Sequence, residues 1–281
     1  MPPLHVRSVD SRLVDASEQF VKSLQFTGFA VLHHHPIDME LVNEVYSHWT
    51  DFFNSPQKQN YLFHPVKQDG YFPFKSENAK GSDEKDLKEF FHIYPWGRCP
   101  ESLESKTRLL YSQLMDLASL LLTWIEKEVP TEISSNFSRP LHKMIEDSPQ
   151  NLLRIINYPA MTGDEKPNAI RAAAHEDINL ITVLCAGTQS GLQAQDVDEN
   201  WHDIQCDPGS IAVNTGDMLQ MCSNNYFPST THRVINPEGD KMNVARMSMP
   251  LFLHPNDDVV LSNKHTAGSY LFERLQEIGL K

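Results

Sequence analysis

Apolar residues recur at helical spacing near the start of the chain: Leu13, Ala16, Phe20 and Leu24 fall on one face of a helix over Ser11 to Gln25. Gly28 stops that run, and Phe29-Ala-Val-Leu32 reads as a buried strand. Asp38 has the chemistry of an N-cap, opening a second helix that extends to about Phe53. Residues 54–100 lose periodicity but are dense in rings: Tyr71, Phe72, Phe74, Phe90, Phe91, Tyr94 and Trp96. An aromatic-rich irregular segment of this kind predicts a lid or a pocket wall. A long helix is expected over Ser102 to Val129, stopped by Pro130.

The texture changes at Leu152. Short strand-like runs follow at Leu152–Tyr158, Ile178–Leu184, Leu192–Gln195, Trp201–Ile204, Ser210–Asn214, His232–Val234 and Val244–Leu253, separated by turn clusters such as Asp207-Pro-Gly209 and Asn236-Pro-Glu-Gly239. Ala267 to Ile278 closes with an amphipathic helix. Many short strands with regular turns predict a mainly β sandwich or barrel with flanking helices. The expectation is one domain over 1–281: a helical and loop region at 1–150, a β core at 151–256 and a C-terminal helix at 257–281.

Composition narrows the class. The chain has 281 residues, 40% hydrophobic and 22% charged, as in an ordinary globular protein. Its formal charge of −13, with no basic cluster, argues against nucleic acid as a partner. The opening MPPLHVRSVD lacks the apolar core of a secretory signal, and Leu114 to Ile125, the greasiest stretch, is broken by Asp116, Ser119 and Thr123, so no membrane span is expected. Cys99, Cys185, Cys206 and Cys222 lie far apart without metal-cluster spacing, which fits reduced thiols in a cytoplasmic protein.

The candidate chemistry lies in two distant pieces. On a strand, alternation puts His175 and Asp177 on one face and turns Glu176 away. His232 opens a strand 55 residues later, which a sandwich can fold back beside the first. Two imidazoles and one carboxylate on one face leave coordination positions open, as suits iron(II) that must bind oxygen and a second ligand. A lone HxD in a chain with 13 histidines has an ordinary reading too. A third piece adds weight: Arg246 and Ser248 share a strand face within apolar sequence, where an arginine needs an anionic partner and offers a planar fork for a carboxylate.

At these positions the chain resembles the isopenicillin N synthase-like branch of the iron(II)/2-oxoglutarate oxygenase superfamily. The resemblance runs in order through Gly28 to Ile37, Gly70-Tyr71, Asp86 to Phe90, His175-Glu-Asp177, Gly191-Leu-Gln193, Pro208-Gly209, Asn214-Thr-Gly-Asp217, Ser229 to Val234, Arg246-Met-Ser248 and Phe252-Leu-His-Pro255. It implies a distorted double-stranded β-helix, or jelly roll. It implies iron(II) held by His175, Asp177 and His232, and 2-oxoglutarate held by Arg246 and Ser248 with help from Tyr158. It implies O2-dependent oxidation of a small-molecule substrate, by hydroxylation, with release of succinate and CO2. Within the ring-rich segment Phe91 and His92 are candidates to touch that substrate, or simply to pack the lid; Arg171 could pair with an anionic substrate or sit in solvent. The triplet His33-His-His35 matches a packing element of the family, and the Asn214-Thr-Gly-Asp217 turn looks structural. One position departs from the pattern: Ile156 stands where many 2-oxoglutarate users of this branch carry Asn. The branch also contains 2-oxoglutarate-independent oxidases that close rings or desaturate, and a non-catalytic ligand-binding jelly roll is a third reading.

Overall fold

A computed structural model describes residues 4–77 and 84–277. The chain runs β1 (Ser8–Asp10), α1 (Ala16–Thr27), β2 (Phe29–His33), α2 (Met39–Asn54), β3 (Gly70–Phe72), β4 (Glu89–Ile93), α3 (Glu101–Glu128), α4 (Thr131–Ser134) and α5 (Leu141–Ile145). It continues through β5 (Leu152–Tyr158), β6 (Ala172–His175), β7 (Ile181–Cys185), β8 (Leu192–Gln195), β9 (Trp201–Asp203), β10 (Ile211–Thr215), α6 (Asp217–Cys222), β11 (His232–Val234), β12 (Arg246–Leu253) and α7 (Ala267–Glu277). Ile278, the expected end of the last helix, lies outside the described residues. No helix among the described residues is long and apolar enough to cross a membrane.

Two sheets form the core. The larger has eight strands in the order β1-β2-β10-β7-β12-β5-β4-β3, and the smaller has four in the order β6-β11-β8-β9. Alternation along the strands gives the large sheet two different faces. Its outer face presents Ile155, Val183, Val213, Met249 and Leu251 to helices α1–α3, in one apolar cluster with Trp49, Leu114 and Leu121. Its inner face presents Phe29, Val31, Phe90, Ile156 and Tyr158 to Ala172, Leu192, Ala194 and Val234 of the small sheet. The architecture is the double-stranded β-helix expected from the sequence, with helices α1–α3 packed on the outer face of the large sheet.

The helices start where their caps allow. Asp38 accepts from the backbone N–H groups of Glu40 (2.9 Å) and Leu41 (3.2 Å), as an N-cap should. Helix α1 begins at Ala16, later than Ser11, because the Ser11 N–H donates to the His33 carbonyl and stays with the β1–β2 edge. The ring-rich segment at 54–100 differs more from expectation: part of it is the β3–β4 hairpin, which extends the large sheet beyond β5. Phe90 faces the inner core and Phe91 the outer one, so both neighbours are apolar and the alternation that marks a half-exposed strand is lost. Strand β6 went unseen because Ala172-Ala-Ala174 carries no β-branched or aromatic residue. Strand β7 starts three residues later than Ile178. The Asp177 and Ile178 carbonyls instead accept from Asp217 (2.7 Å) and Met218 (3.3 Å), which pins that corner.

Candidate active site

The register of β6 and β11 brings the distant pieces together: His232 lies opposite His175. Asp177 follows two residues after His175, and the three side chains offer donor atoms all within 4.8 Å of one another. Asp177 Oδ1 stands 3.9 Å from His175 Nε2 and 3.8 Å from His232 Nε2. Its other oxygen is occupied, accepting from the Thr182 hydroxyl (2.6 Å) and the Asn214 amide (2.7 Å). Both imidazoles are oriented in the same way: Nδ1 of His175 donates to the Ala173 carbonyl at 2.8 Å, and Nδ1 of His232 to the Thr230 carbonyl at 3.1 Å. Those bonds select the tautomer whose Nε2 lone pair points inward. Glu176 turns outward to accept from Thr231 at 2.7 Å, as alternation requires.

The electrostatics agree with this geometry. Burial and the neighbouring His232 push His175 down to about 4, so its ring is neutral at pH 7. Burial alone would raise Asp177, but the two imidazoles and the Thr182 and Asn214 hydrogen bonds hold it below the usual carboxylate range. Two aligned nitrogen lone pairs and one free carboxylate oxygen suit a divalent transition metal. Close packing behind the site needs Gly216, where a Cβ would fall 2.3 Å from the Asn179 carbonyl; its φ is not positive, so backbone proximity, not turn geometry, dictates the glycine. Asp217 accepts from the Tyr270 hydroxyl at 2.7 Å, tying α7 to this corner.

From the triad, the inner face of the large sheet leads between two cavities. The first, about 420 Å³, opens at the mouth and includes His175, Asp177, His92, Arg154, Phe252 and Leu271 in its lining. Charged side chains there pair among themselves. Glu77 binds Arg154 (3.2 Å) and Lys88 (2.9 Å), and Lys88 also binds Asp86 (2.8 Å). Burial would raise Glu77, yet Arg154 and Lys88 hold it well below the usual range. Arg154 Nε donates to His92 Nε2 (2.8 Å), while His92 Nδ1 donates to the Gln68 carbonyl (2.9 Å). Burial, then Arg154, pushes His92 well below 6.5, so it is neutral. Phe91, expected beside the substrate, faces the opposite way: its ring packs 5.0 Å from Trp49 in the helix-side core.

The second cavity, about 490 Å³, lies at the other end and is lined by Arg246 and Arg171 among others. Register places Arg246 beside Tyr158 and Ser248 beside Ile156. The Arg246 guanidinium sits 5.2 Å from the Tyr158 ring centre, with Nε donating to the Gln189 carbonyl (3.0 Å) and Nη1 left unpartnered. Gly187 makes room for it, since a Cβ there would fall 2.7 Å from Nη2. Arg171 is neither in solvent nor at the mouth. It is 1% exposed and shares this cavity. The four residues from Arg171 to His175 span about 13 Å of extended chain, enough to reach the opposite end. Ile156 is packed in the apolar cluster between the sheets.

Sequence reasoning missed Thr182, Asn214 and Arg154. Arg154 had the same signal as Arg246, a cation within an apolar strand, Leu-Leu-Arg-Ile-Ile. The histidine triplet gathers at the β1–β2 edge. His34 stands 3.1 Å from Asp10, whose carboxylate is also bound by Arg12 (2.8 Å), and His35 donates to the Gly209 carbonyl (2.9 Å).

Comparison with known proteins bears on the same regions. Residues 149–255 match the 2OG-Fe(II) oxygenase superfamily, and residues 4–113 match the N-terminal region described as non-haem dioxygenase in morphine synthesis. A crystal structure from Shewanella oneidensis, provisionally described as an oxygenase, is 51% identical with a TM-score of 0.90, covering 98% of this chain and 99% of that one. A rice protein, 2-oxoglutarate-dependent dioxygenase 11 (Oryza sativa subsp. japonica), is 29% identical over 88% of this chain and 70% of its own length. Homoarginine-6-hydroxylase 2-ODD-C23.2 of Arabidopsis thaliana is 27% identical over 81% of this chain and 67% of its own. With a double-stranded β-helix, a convergent His-Asp-His triad and matches over both halves, the chain belongs to the iron(II)- and 2-oxoglutarate-dependent oxygenase superfamily, enzymes that use Fe(II), 2-oxoglutarate and O2.

Proposed function

We propose that His175, Asp177 and His232 hold one iron(II), and that Arg246 and Ser248, beside the ring of Tyr158, hold the far carboxylate of 2-oxoglutarate. A small organic molecule then enters the mouth cavity and is hydroxylated at a C–H bond, and succinate and CO2 are released. The observation that carries this reading is Asp177 Oδ1, which faces both Nε2 atoms while its sister oxygen is tied to Thr182 and Asn214.

Iron(II) with 2-oxoglutarate and O2 supplies the oxidising power for attack on an unactivated C–H bond. The chain's own residues position and shield. Thr182 and Asn214 keep the Asp177 carboxylate in one orientation, and the Ala173 and Thr230 carbonyls do the same for the imidazoles. Arg246 has an unpartnered Nη1 for the carboxylate, and Ser248 shares its strand face. Phe90, Ile156 and Tyr158 make an apolar wall that keeps water from the space between the two cavities.

The mouth cavity has the volume of a small-molecule site. Besides Asp177, its lining carries Glu77, Asp86 and Glu176 against Lys88, Arg154 and Arg274, three of each sign, which favours a neutral or zwitterionic polar substrate over a net ion. His92 lines that cavity, which supports assigning it to the substrate side. Kinship with a homoarginine hydroxylase is in keeping with a small substrate. The net charge of −13 speaks against nucleic acid, and four free cysteines fit a reducing cytoplasm.

The test is anaerobic addition of Fe(II) and then 2-oxoglutarate, followed by admission of O2. A weak visible charge-transfer band on the second addition, and succinate formed on the third, are the expected results. Oxygen consumption without succinate would place the chain with the 2-oxoglutarate-independent oxidases instead.

A further inference from the structure

The deep cavity buries two guanidiniums where a single carboxylate anchor requires one, while its other charged lining residues, Lys241, Asp203, Asp207 and Glu238, are exposed. Arg171 and Arg246 are 1% and 2% exposed, and both guanidiniums pack near the ring of Tyr158, at 5.9 Å and 5.2 Å. Arg171 donates from Nη2 to the Val244 carbonyl (2.9 Å) while its Nε is unpartnered, and Arg246 has Nη1 unpartnered. Neither forms a salt bridge with a carboxylate among the described residues, although Asp203, Asp207 and Glu238 lie in the lining of the same cavity. Burial first, and Arg246 second, push the Arg171 guanidinium down to about 10, the direction expected for a cation lacking a counter-charge. Two buried like charges with open donors are costly unless an anion joins them.

Resting on the co-substrate reading above, we propose that Arg171 is a second anchor for 2-oxoglutarate, so that its far carboxylate sits between the guanidiniums of Arg171 and Arg246 with Ser248 alongside. A carboxylate has lone-pair sites for four donors, and these three side chains can fill them. The arrangement makes a negative charge at the far end of the co-substrate obligatory. A 2-oxo acid of the same chain length that ends in a methyl group would leave both arginines unneutralised and would be rejected. The empty protein carries the repulsion between the two cations, and the dicarboxylate relieves it.

The test compares wild type with Arg171→Met, Arg171→Lys and Arg246→Met. Each is titrated anaerobically with 2-oxoglutarate after Fe(II) loading. Each is also melted without metal, alone and with glutarate, a dicarboxylate that lacks the keto group and so reads the far end by itself. Arg171→Met should bind 2-oxoglutarate tenfold or more weakly, by about the worth of one charged hydrogen bond. It should lose most of the glutarate-induced rise in melting temperature, and without ligand it should melt no lower than wild type. Arg171→Lys should fall between the two. Wild-type affinity in Arg171→Met beside weakened binding in Arg246→Met overturns this proposal and leaves the co-substrate reading standing. Wild-type affinity in both variants overturns the co-substrate reading itself. An Arg171→Met protein that melts lower or fails to fold, with Arg171→Lys binding like wild type, makes the arginine a packing residue and also overturns the proposal.

Discussion

The two cavities that share the inner face of the large sheet treat charge in opposite ways. At the mouth, Glu77 and Asp86 neutralise Lys88 and Arg154 through contacts of 2.8–3.2 Å, so the wall is complete without a ligand. At the deep end, Arg171 and Arg246 face one cavity with open donors and no paired carboxylate among the described residues. Balanced buried charge is a structural element, and removing one partner leaves the other stranded. Unbalanced buried charge is a binding element, because its counter-ion arrives with the ligand. The triad belongs with neither: it has one carboxylate oxygen engaged and one free, so its pairing is half complete.

Substitutions break this contrast in a definite order. Asp177→Ala removes the one anionic donor of the triad, and metal binding and succinate formation should both vanish; full activity would refute the assignment. Arg246→Met should raise the 2-oxoglutarate requirement about a hundredfold, since two charge-assisted hydrogen bonds at about 1.5 kcal/mol or more each are lost. Its melting temperature without ligand should hold, as the deep end loses a repulsion against one hydrogen bond, to the Gln189 carbonyl. Glu77→Gln at the mouth should do the reverse: about 2 kcal/mol of stability lost on stranding Arg154, Lys88 keeping Asp86, a figure reduced for partial exposure, with 2-oxoglutarate affinity unchanged. Chemical denaturation and co-substrate titration of the same three proteins separate the outcomes.

Acid should sharpen the contrast with the smallest effect. His254 in the mouth lining is pushed by burial down to about 4, and His175 likewise. Between pH 4 and about 6.5 the unfolded chain binds protons at these imidazoles and the folded chain does not. Stability of the metal-free protein should therefore rise with pH through that window and be fully present above it. No histidine among the described residues lines the deep cavity, so glutarate binding should stay level down to about pH 5.5. Equal acid sensitivity of both properties would erase the distinction between the two ends.

The strands that proved easiest to read have apolar residues of distinctive shape, such as Leu152–Tyr158, Leu192–Gln195 and His232–Val234, whose bounds the structure reproduces. Alternation alone also puts His175 with Asp177, and Arg246 with Ser248, on shared strand faces. It failed where both faces of a strand are buried, at Phe90-Phe91, and where alanines carry no β signal, at β6. The location of Arg171 was hidden for a different reason. Its distance from His175 along the chain shows that it belongs to the same strand region, but which cavity receives its guanidinium depends on strand β12 crossing beside β5, a long-range pairing that no local pattern encodes. Asn214 was invisible in the same way, for it meets Asp177 through the pairing of β7 with β10, whereas Thr182 reaches Asp177 around a five-residue corner that strand alternation does not describe.

The account turns on whether one ligand joins the half-complete triad to the unbalanced arginines. An anaerobic crystal structure with a divalent metal and 2-oxoglutarate tests this most directly. It should show the metal bonded to Nε2 of His175, Nε2 of His232 and a carboxylate oxygen of Asp177, and the co-substrate's far carboxylate against Arg246. A metal bound elsewhere, or a far carboxylate resting against Arg154 and Lys88 at the mouth, would contradict it.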